Sequence, residues 1–186
     1  MALFLISAPS GAGKTTLVKD LQGKNFWTEC ISHTTRPMRE GEEEGVTYHY
    51  VDMKEFLRMD YRNEFAEVVT YDGNKYGITK SEIADESKHK KHKCIIVDHD
   101  GYQQLKTLYP KSVGIFLYMT KEECLANMLL RGDSIEKALK RIETYDNELK
   151  NSIAYDYVVK NIQGNFGSTA TILTSIVLQC KSLPNY

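Results

Sequence analysis

The chain has 186 residues, 41% of them hydrophobic and 26% charged, with a formal net charge of −1. This is the size and balance of one soluble α/β domain with room for an inserted lobe. The near-neutral charge excludes a global basic field for nucleic acid or an anionic membrane, and no apolar run reaches the ~20 residues of a membrane helix.

The run Ala2-Leu3-Phe4-Leu5-Ile6 predicts a buried strand over 2–7, and with no basic residues before it the start is not expected to be a signal peptide. Ser7-Ala8-Pro9-Ser10-Gly11-Ala12-Gly13-Lys14-Thr15-Thr16 follows at once, and a helix is predicted over 14–22. Strand, glycine-rich turn and helix start form the context of a phosphate-binding loop. Glycines let main-chain N–H groups turn onto a polyphosphate, and the helix dipole adds to their field. The first position of the strict pattern is Ala8 here; it tolerates a small residue more readily than Gly11 or Gly13. The loop makes Pro9, Ser10, Gly11, Ala12, Gly13, Lys14, Thr15 and Thr16 the candidate ATP-binding residues. Lys14 would reach the outer phosphates and the Thr15 hydroxyl would ligate Mg²⁺.

Further strands are predicted over 27–33, 94–97, 113–118 and 156–159. Helices are predicted over 101–109 (stopped by Pro110), from Thr120 to about Leu130, over 134–150 and over 167–181. Thr120 with Glu123 three residues on is a capping-box pattern. The alternation argues a parallel sheet with helices on both faces. The stretch 34–92 breaks it: Tyr48–Val51 and Glu64–Val68 alternate, and Asp72-Gly73 is a hairpin signal between Val68–Tyr71 and Lys75–Ile78. A small mixed lobe inserted into the parallel core is expected there.

Cys30, Cys94, Cys124 and Cys180 lie far apart without metal spacing and read as structural thiols of a reducing, cytoplasmic compartment. His89 and His92 fall in the run 88–93, read as a solvated helix end. Asp98, closing a strand beside the loop, is a candidate to hold Mg²⁺ through water or to cap the helix after it. Arg36 and Arg39, separated by a proline turn and close in sequence to Ser32 and Tyr48, could fork around one phosphate. A phosphate-binding loop alone says nucleotide, not reaction, so these lobe residues carry the discrimination.

Ser32-x-Thr34-Thr35-Arg36-x-x-Arg39-x-Gly41-Glu42-x-x-Gly45-x-x-Tyr48 resembles the signature of guanylate kinases. So do Asn63-Glu64-Phe65-x-Glu67, Gly73-Asn74-x-Tyr76-Gly77, Asp98-x-Asp100 and Tyr155-Asp156-Tyr157-Val158-Val159-x-Asn161, in family order along nearly the whole chain. The resemblance implies an enzyme that transfers the γ-phosphoryl group of ATP, with Mg²⁺, to GMP and dGMP. It implies that Arg36, Arg39, Tyr48 and Tyr76 hold the GMP phosphate, and that Ser32, Glu67, Asp100 and, at a position discussed below, Thr79 hold guanine. Guanine's N1–H and amino donors suit the Glu67 carboxylate; adenine has no such pair on that edge. Arg131 and Arg141 would close over ATP and, with Lys14 and Arg36, neutralise charge during transfer. The expected division is a P-loop core (1–33, 94–127, 152–186), a GMP-binding lobe (34–93) and a lid (128–151), in a cytoplasmic monomer or weak homodimer.

Four features depart from the family pattern. Ile78 stands where a small hydroxyl residue is usual, with Thr79 as substitute but of opposite strand parity. Gly101 follows Asp100 without the usual two intervening residues, the lid is one residue short between Gly132 and Asp133, and Asn127 replaces an arginine. A kinase for another phosphorylated acceptor would give Ser32, Glu67 and Asp100 no role. Guanylate-kinase-like scaffolding modules typically lack an intact phosphate loop, which this chain has.

Overall fold

The computed structural model describes residues 2–24, 26–84 and 92–181. In chain order the elements are β1 (Leu3–Ser7), α1 (Lys14–Gly23), β2 (Trp27–Glu29), β3 (His33–Thr34), β4 (His49–Tyr50), α2 (Met53–Tyr61), β5 (Phe65–Tyr71), β6 (Asn74–Thr79) and α3 (Lys80–Ala84). Then come β7 (His92–Ile96), α4 (His99–Leu108), β8 (Val113–Tyr118), α5 (Lys121–Leu130), α6 (Ile135–Ile142), α7 (Tyr145–Lys150), a 3₁₀ turn (Asn151–Ala154), β9 (Tyr157–Lys160) and α8 (Phe166–Lys181).

Five strands form a parallel sheet in the order β2-β7-β1-β8-β9. Alternate residues feed two layers, as the period-2 geometry of a strand requires. Phe4, Ile6, Ile115 and Leu117 pack under α1, α5, α6 and α8, while Leu5, Ile95 and Phe116 pack against Tyr102 and Leu105 of α4. The central strands are buried on both faces, so they read as continuous apolar runs. The expected α/β architecture is what forms.

The inserted lobe is a four-stranded sheet, β4-β3-β6-β5, with β3 and β4 parallel and the other pairs antiparallel. Its own small core is Phe56, Met59 and Phe65 beneath α2. Asp72 and Gly73 have φ of 50° and 74° and close the β5–β6 hairpin between Tyr71 and Asn74. Left-handed backbone at both central positions matches the twist of the flanking strands.

Three local expectations are corrected. The single strand over 27–33 is two: β2 pairs with β7 in the core sheet, whereas β3 pairs with β4 and β6 in the lobe. The polypeptide changes sheets between them, because Cys30 N–H still bonds the Cys94 carbonyl while the Ser32 carbonyl already accepts from His49. The helix over 134–150 breaks into α6 and α7. The Thr144 hydroxyl there donates to the Arg141 carbonyl and pairs with Glu148, and Tyr145 turns inward to donate to the Met119 carbonyl at 2.6 Å. His92 and Lys93 are not a solvated helix end: they open β7 and are buried. The Lys93 ammonium satisfies the Glu82 and Ile83 carbonyls at the end of α3, each at 2.8 Å, and Ala2 N–H donates to His92 Nδ1. His89 lies outside the described residues.

The other helix signals hold. Thr120 and Glu123 form a reciprocal capping box on α5. Asp98 caps α4, its Oδ1 accepting from Gly101 N–H at 2.8 Å. Cys94 is fully buried, its thiol pKa pushed well up by burial, and it packs as a small apolar group in the core.

Candidate active site

The loop between β1 and α1 shows why two of its positions are glycine. Gly11 and Gly13 have φ of 86° and 80°, the left-handed region that penalises a side chain. A Cβ on Gly11 would also lie 2.3 Å from the Cys124 carbonyl oxygen, and one on Gly13 would lie 2.6 Å from Asn161 Nδ2. Ala8 and Ala12 are packed into the core, which explains why a small residue suffices at both.

Two asparagines brace this loop at adjacent carbonyls. Asn127 Nδ2 donates to the Gly11 carbonyl at 2.9 Å and Asn161 Nδ2 to the Ala12 carbonyl at 3.0 Å. The sulfur of buried Met119 touches both amides. Each amide satisfies one loop carbonyl. Sequence reasoning read Asn127 only as a missing cation; its role depends on a contact 116 residues distant.

Lys14, the first residue of α1, reaches back to the Ala8 carbonyl at 3.4 Å. Burial lowers its pKa, while the charges of Glu148 and Asp98 raise it and Arg141 lowers it. Those three groups come from α7, the start of α4 and α6, so the lysine sits where loop and lid meet. Thr15 and Thr16 are exposed on the first turn of α1.

The lid arginines are already occupied. Arg131 Nε donates to Asp133 Oδ2 at 2.9 Å, its Nη2 pairs with the same oxygen, and Arg141 Nη1 lies 3.5 Å from it. Burial works against the Asp133 charge, but Arg131, Arg141 and Lys137 together hold its carboxyl below the ordinary range. Gly132, at φ 92°, makes the turn that folds Asp133 back onto Arg131.

The lobe gathers a second cationic pocket. Arg36 is buried; its Nη2 donates to Glu42 Oε1 at 2.7 Å and its Nη1 to the Pro37 carbonyl at 2.8 Å. Its guanidinium lies 5.5 Å from the Tyr48 ring centroid and 5.9 Å from that of Tyr50. Tyr76 packs on Tyr48 at 5.8 Å. Glu42 is the organiser that motif reading left without a role. Its Oε2 accepts from Arg39 N–H and from the Tyr50 hydroxyl, each at 2.8 Å. The hydrogen bond from Arg36, with these others, holds its carboxyl down at about 2. The Arg39 side chain is exposed at the pocket's rim.

Glu67, on β5, is 6% exposed, and burial followed by the like charge of Asp98 pushes its pKa up to about 7 against a hydrogen bond from Ile78 N–H. Its carboxylate lies over Gly101 of α4, where a Cβ would come within 2.4 Å of Oε1. The direct Asp100-Gly101 step therefore serves a packing need. The acid whose charge acts on both Glu67 and Lys14 is Asp98, at the seam between the two pockets; it and Asp100, in the first turn of α4, are both exposed. Thr79 is buried, but its hydroxyl accepts from Glu82 N–H at 3.2 Å and from Ser81, so it serves the start of α3. Ser32 lies at the sheet crossing, its carbonyl bonded to His49.

A braced phosphate loop, a lid with paired arginines and a lobe pocket with a buried carboxylate thus share one end of the parallel sheet. The family model for guanylate kinase matches residues 1–179. The chain belongs to the guanylate kinase family. It is 38% identical over 164 residues to the guanylate kinase of Dechloromonas aromatica, a match covering 87% of this chain and 81% of that one. It is 36% identical over 180 residues to the guanylate kinase of Hydrogenovibrio crunogenus, covering 95% and 87%. The crystal structure of guanylate kinase from Anaplasma phagocytophilum superposes with a TM-score of 0.78 at 25% identity, over 98% of this chain and 87% of that one. Among the described residues no helix is long and apolar enough to cross a membrane.

Proposed function

We propose that the protein transfers the γ-phosphoryl group of ATP to GMP, and to dGMP, giving ADP and the guanosine diphosphate. The observation that carries this reading is the pairing of two unlike pockets at one seam. One is a main-chain cradle with Lys14 at its mouth. The other joins a buried arginine, Arg36, to a buried carboxylate, Glu67.

ATP lies in the cradle of Pro9 to Thr16, its outer phosphates on Lys14. It enters as its Mg²⁺ complex. Thr15 and, through water, Asp98 are hard oxygen donors suited to that ion. Arg36, Arg39, Tyr48 and Tyr76 bind the GMP phosphate. Glu67 accepts from N1–H and the amino group of guanine, with Ser32 nearby. Asp100, in the first turn of α4, is the second carboxylate offered to guanine, with Asp98 beside it raising the pKa of Glu67. Thr79 acts on the base only indirectly, through the strand it ends.

A GMP phosphate oxygen attacks the γ-phosphorus; the new P–O bond forms as the bond to the β-phosphate oxygen breaks, and ADP leaves with that electron pair. The attacking oxygen is already anionic, so no general base is needed. Negative charge spreads over the equatorial oxygens, and Lys14, Arg36, Arg131 and Arg141 meet it with fixed cations. The lid arginines exchange Asp133 for phosphate as the lid closes, and closure of lobe and lid excludes water.

The test is a coupled assay with GMP, dGMP, AMP, UMP and CMP as acceptors. Turnover with the guanine nucleotides alone is the expected result. Comparable turnover with AMP overturns the role of Glu67 and the acceptor assignment with it.

A further inference from the structure

β5 is the edge strand of the lobe sheet, so one side of its main chain has no strand partner. At Val68 that open edge is filled by one side chain. Val68 N–H donates to Gln104 Oε1 at 3.1 Å, and Gln104 Nε2 donates to the Val68 carbonyl at 3.0 Å. A carboxamide carries one acceptor and one donor group at the spacing of a peptide unit, so Gln104 acts as a one-residue strand partner. Gln104 belongs to α4, three residues after Gly101, and residues three apart share a helix face. That face therefore meets β5 twice in succession: Gly101 under the Glu67 carboxylate, and Gln104 on the main chain of the very next residue.

Near this seam Ala66 packs against the layer of Tyr102 and Leu105. A groove of about 610 Å³ opens beside it, lined among others by Phe65, Lys80, Gln104, Thr107 and Leu108. The register of β5 is also shifted between Phe65 and Glu67, an irregularity that loosens the ladder to β6 just before the carboxylate. The two hydrogen bonds, at the residue next to Glu67, are the polar restraint on where its main chain stands above α4.

We propose that Gln104 is a positioning residue for acceptor selection: it clips the lobe edge to α4 and so sets the Glu67 carboxylate at the height needed to take the two guanine donors. The inference rests on the reading of Glu67 as the base-recognition group. It deepens that reading by naming the contact that aims Glu67 from the ATP-binding half of the molecule. α4 starts at Asp98, within the field of Lys14, so one helix spans both nucleotide sites.

The experiment compares wild type, Gln104→Ala, Gln104→Met and Glu67→Gln in steady-state kinetics with GMP and ATP varied separately. Gln104→Ala is expected to raise KM for GMP about tenfold, as the loss of two hydrogen bonds and a misaimed carboxylate imply, with KM for ATP and kcat within about twofold. Gln104→Met keeps the length and apolar bulk but neither amide group, and it is expected to match Gln104→Ala. An unchanged KM for GMP in Gln104→Ala, a rise in both KM values together, or a wild-type KM in Gln104→Met overturns the clip. If Glu67→Gln raises KM for GMP while Gln104→Ala does not, the clip fails and the base reading stands. If Glu67→Gln leaves KM for GMP and the GMP/AMP ratio unchanged, the base reading itself fails.

Discussion

The donor loop and the acceptor lobe solve one problem, holding phosphate, with different materials. The loop at 7–16 uses main-chain N–H groups. They carry no formal charge and need no counterion, but they demand backbone conformations that only glycine accepts easily. The cost is met by Gly11 and Gly13 in the left-handed region and by Asn127 and Asn161 bonding two of its carbonyls. The lobe uses Arg36, a buried full charge. Such a group must be partnered in the free protein, and Glu42, bonded to Arg36, Arg39 N–H and Tyr50, is that partner. The lid repeats the second solution with Asp133 between Arg131 and Arg141. A main-chain site is ready before its ligand arrives; a guanidinium site is held ready by a resident carboxylate.

The comparison breaks most sharply at Lys14. Lys14→Ala removes the one cation of the donor loop and is expected to lower kcat by about 10²–10³-fold. Binding of GMP, measured by calorimetry, stays within a few fold, because the lobe pocket is built separately. Surviving activity would move the donor site elsewhere.

Next in size is Glu67→Gln, expected to raise KM for GMP and shrink the GMP/AMP preference. The ionised carboxylate is the form that accepts two guanine donors. With its pKa near 7, wild-type affinity for GMP rises with pH through that value, relative to the Glu67→Gln variant. The variant is the reference that removes the titration of the GMP phosphate. Stability has the opposite sign. A carboxyl pKa raised in the folded state means folding favours the proton, so wild type loses thermal stability relative to Glu67→Gln as pH rises from the ordinary carboxylate range to about 7. A wild-type stability gain over that interval contradicts the burial argument.

The smallest effect sharpens the role of resident carboxylates. Glu42→Gln removes the charge that competes with phosphate and keeps only one of the two acceptor oxygens that serve Arg36 on one side and Arg39 N–H and Tyr50 on the other. KM for GMP is expected to fall about threefold, with a modest loss of stability as the Arg36 ion pair goes. A rise in KM would mean that the carboxylate aims Arg36 and does not compete for it.

Much of this was legible in the linear chain where the physics is local. The phosphate loop, the capping box at Thr120, the Asp72-Gly73 hairpin and the apolar strands each depend on neighbours within a few residues. The misreadings share a cause. The charged run ending at Lys93 looks solvated until the ammonium is seen closing two carbonyls of α3. The strand at 27–33 is continuous by composition, yet its two ends find partners in different sheets. Asn127 reads as a lost cation because the Gly11 carbonyl it holds is remote in sequence.

Order along the chain alone determined the parallel core, the place of the inserted lobe and the chemistry available in each, since period, turn chemistry and residue type act over short range. Tertiary structure alone decided which distant groups meet: Asp98 with Glu67, Asn127 with the Gly11 carbonyl, Gln104 with Val68. Pairings of that kind arise only when elements tens of residues apart are packed face to face, because fields and hydrogen bonds follow distance in space and not separation along the backbone.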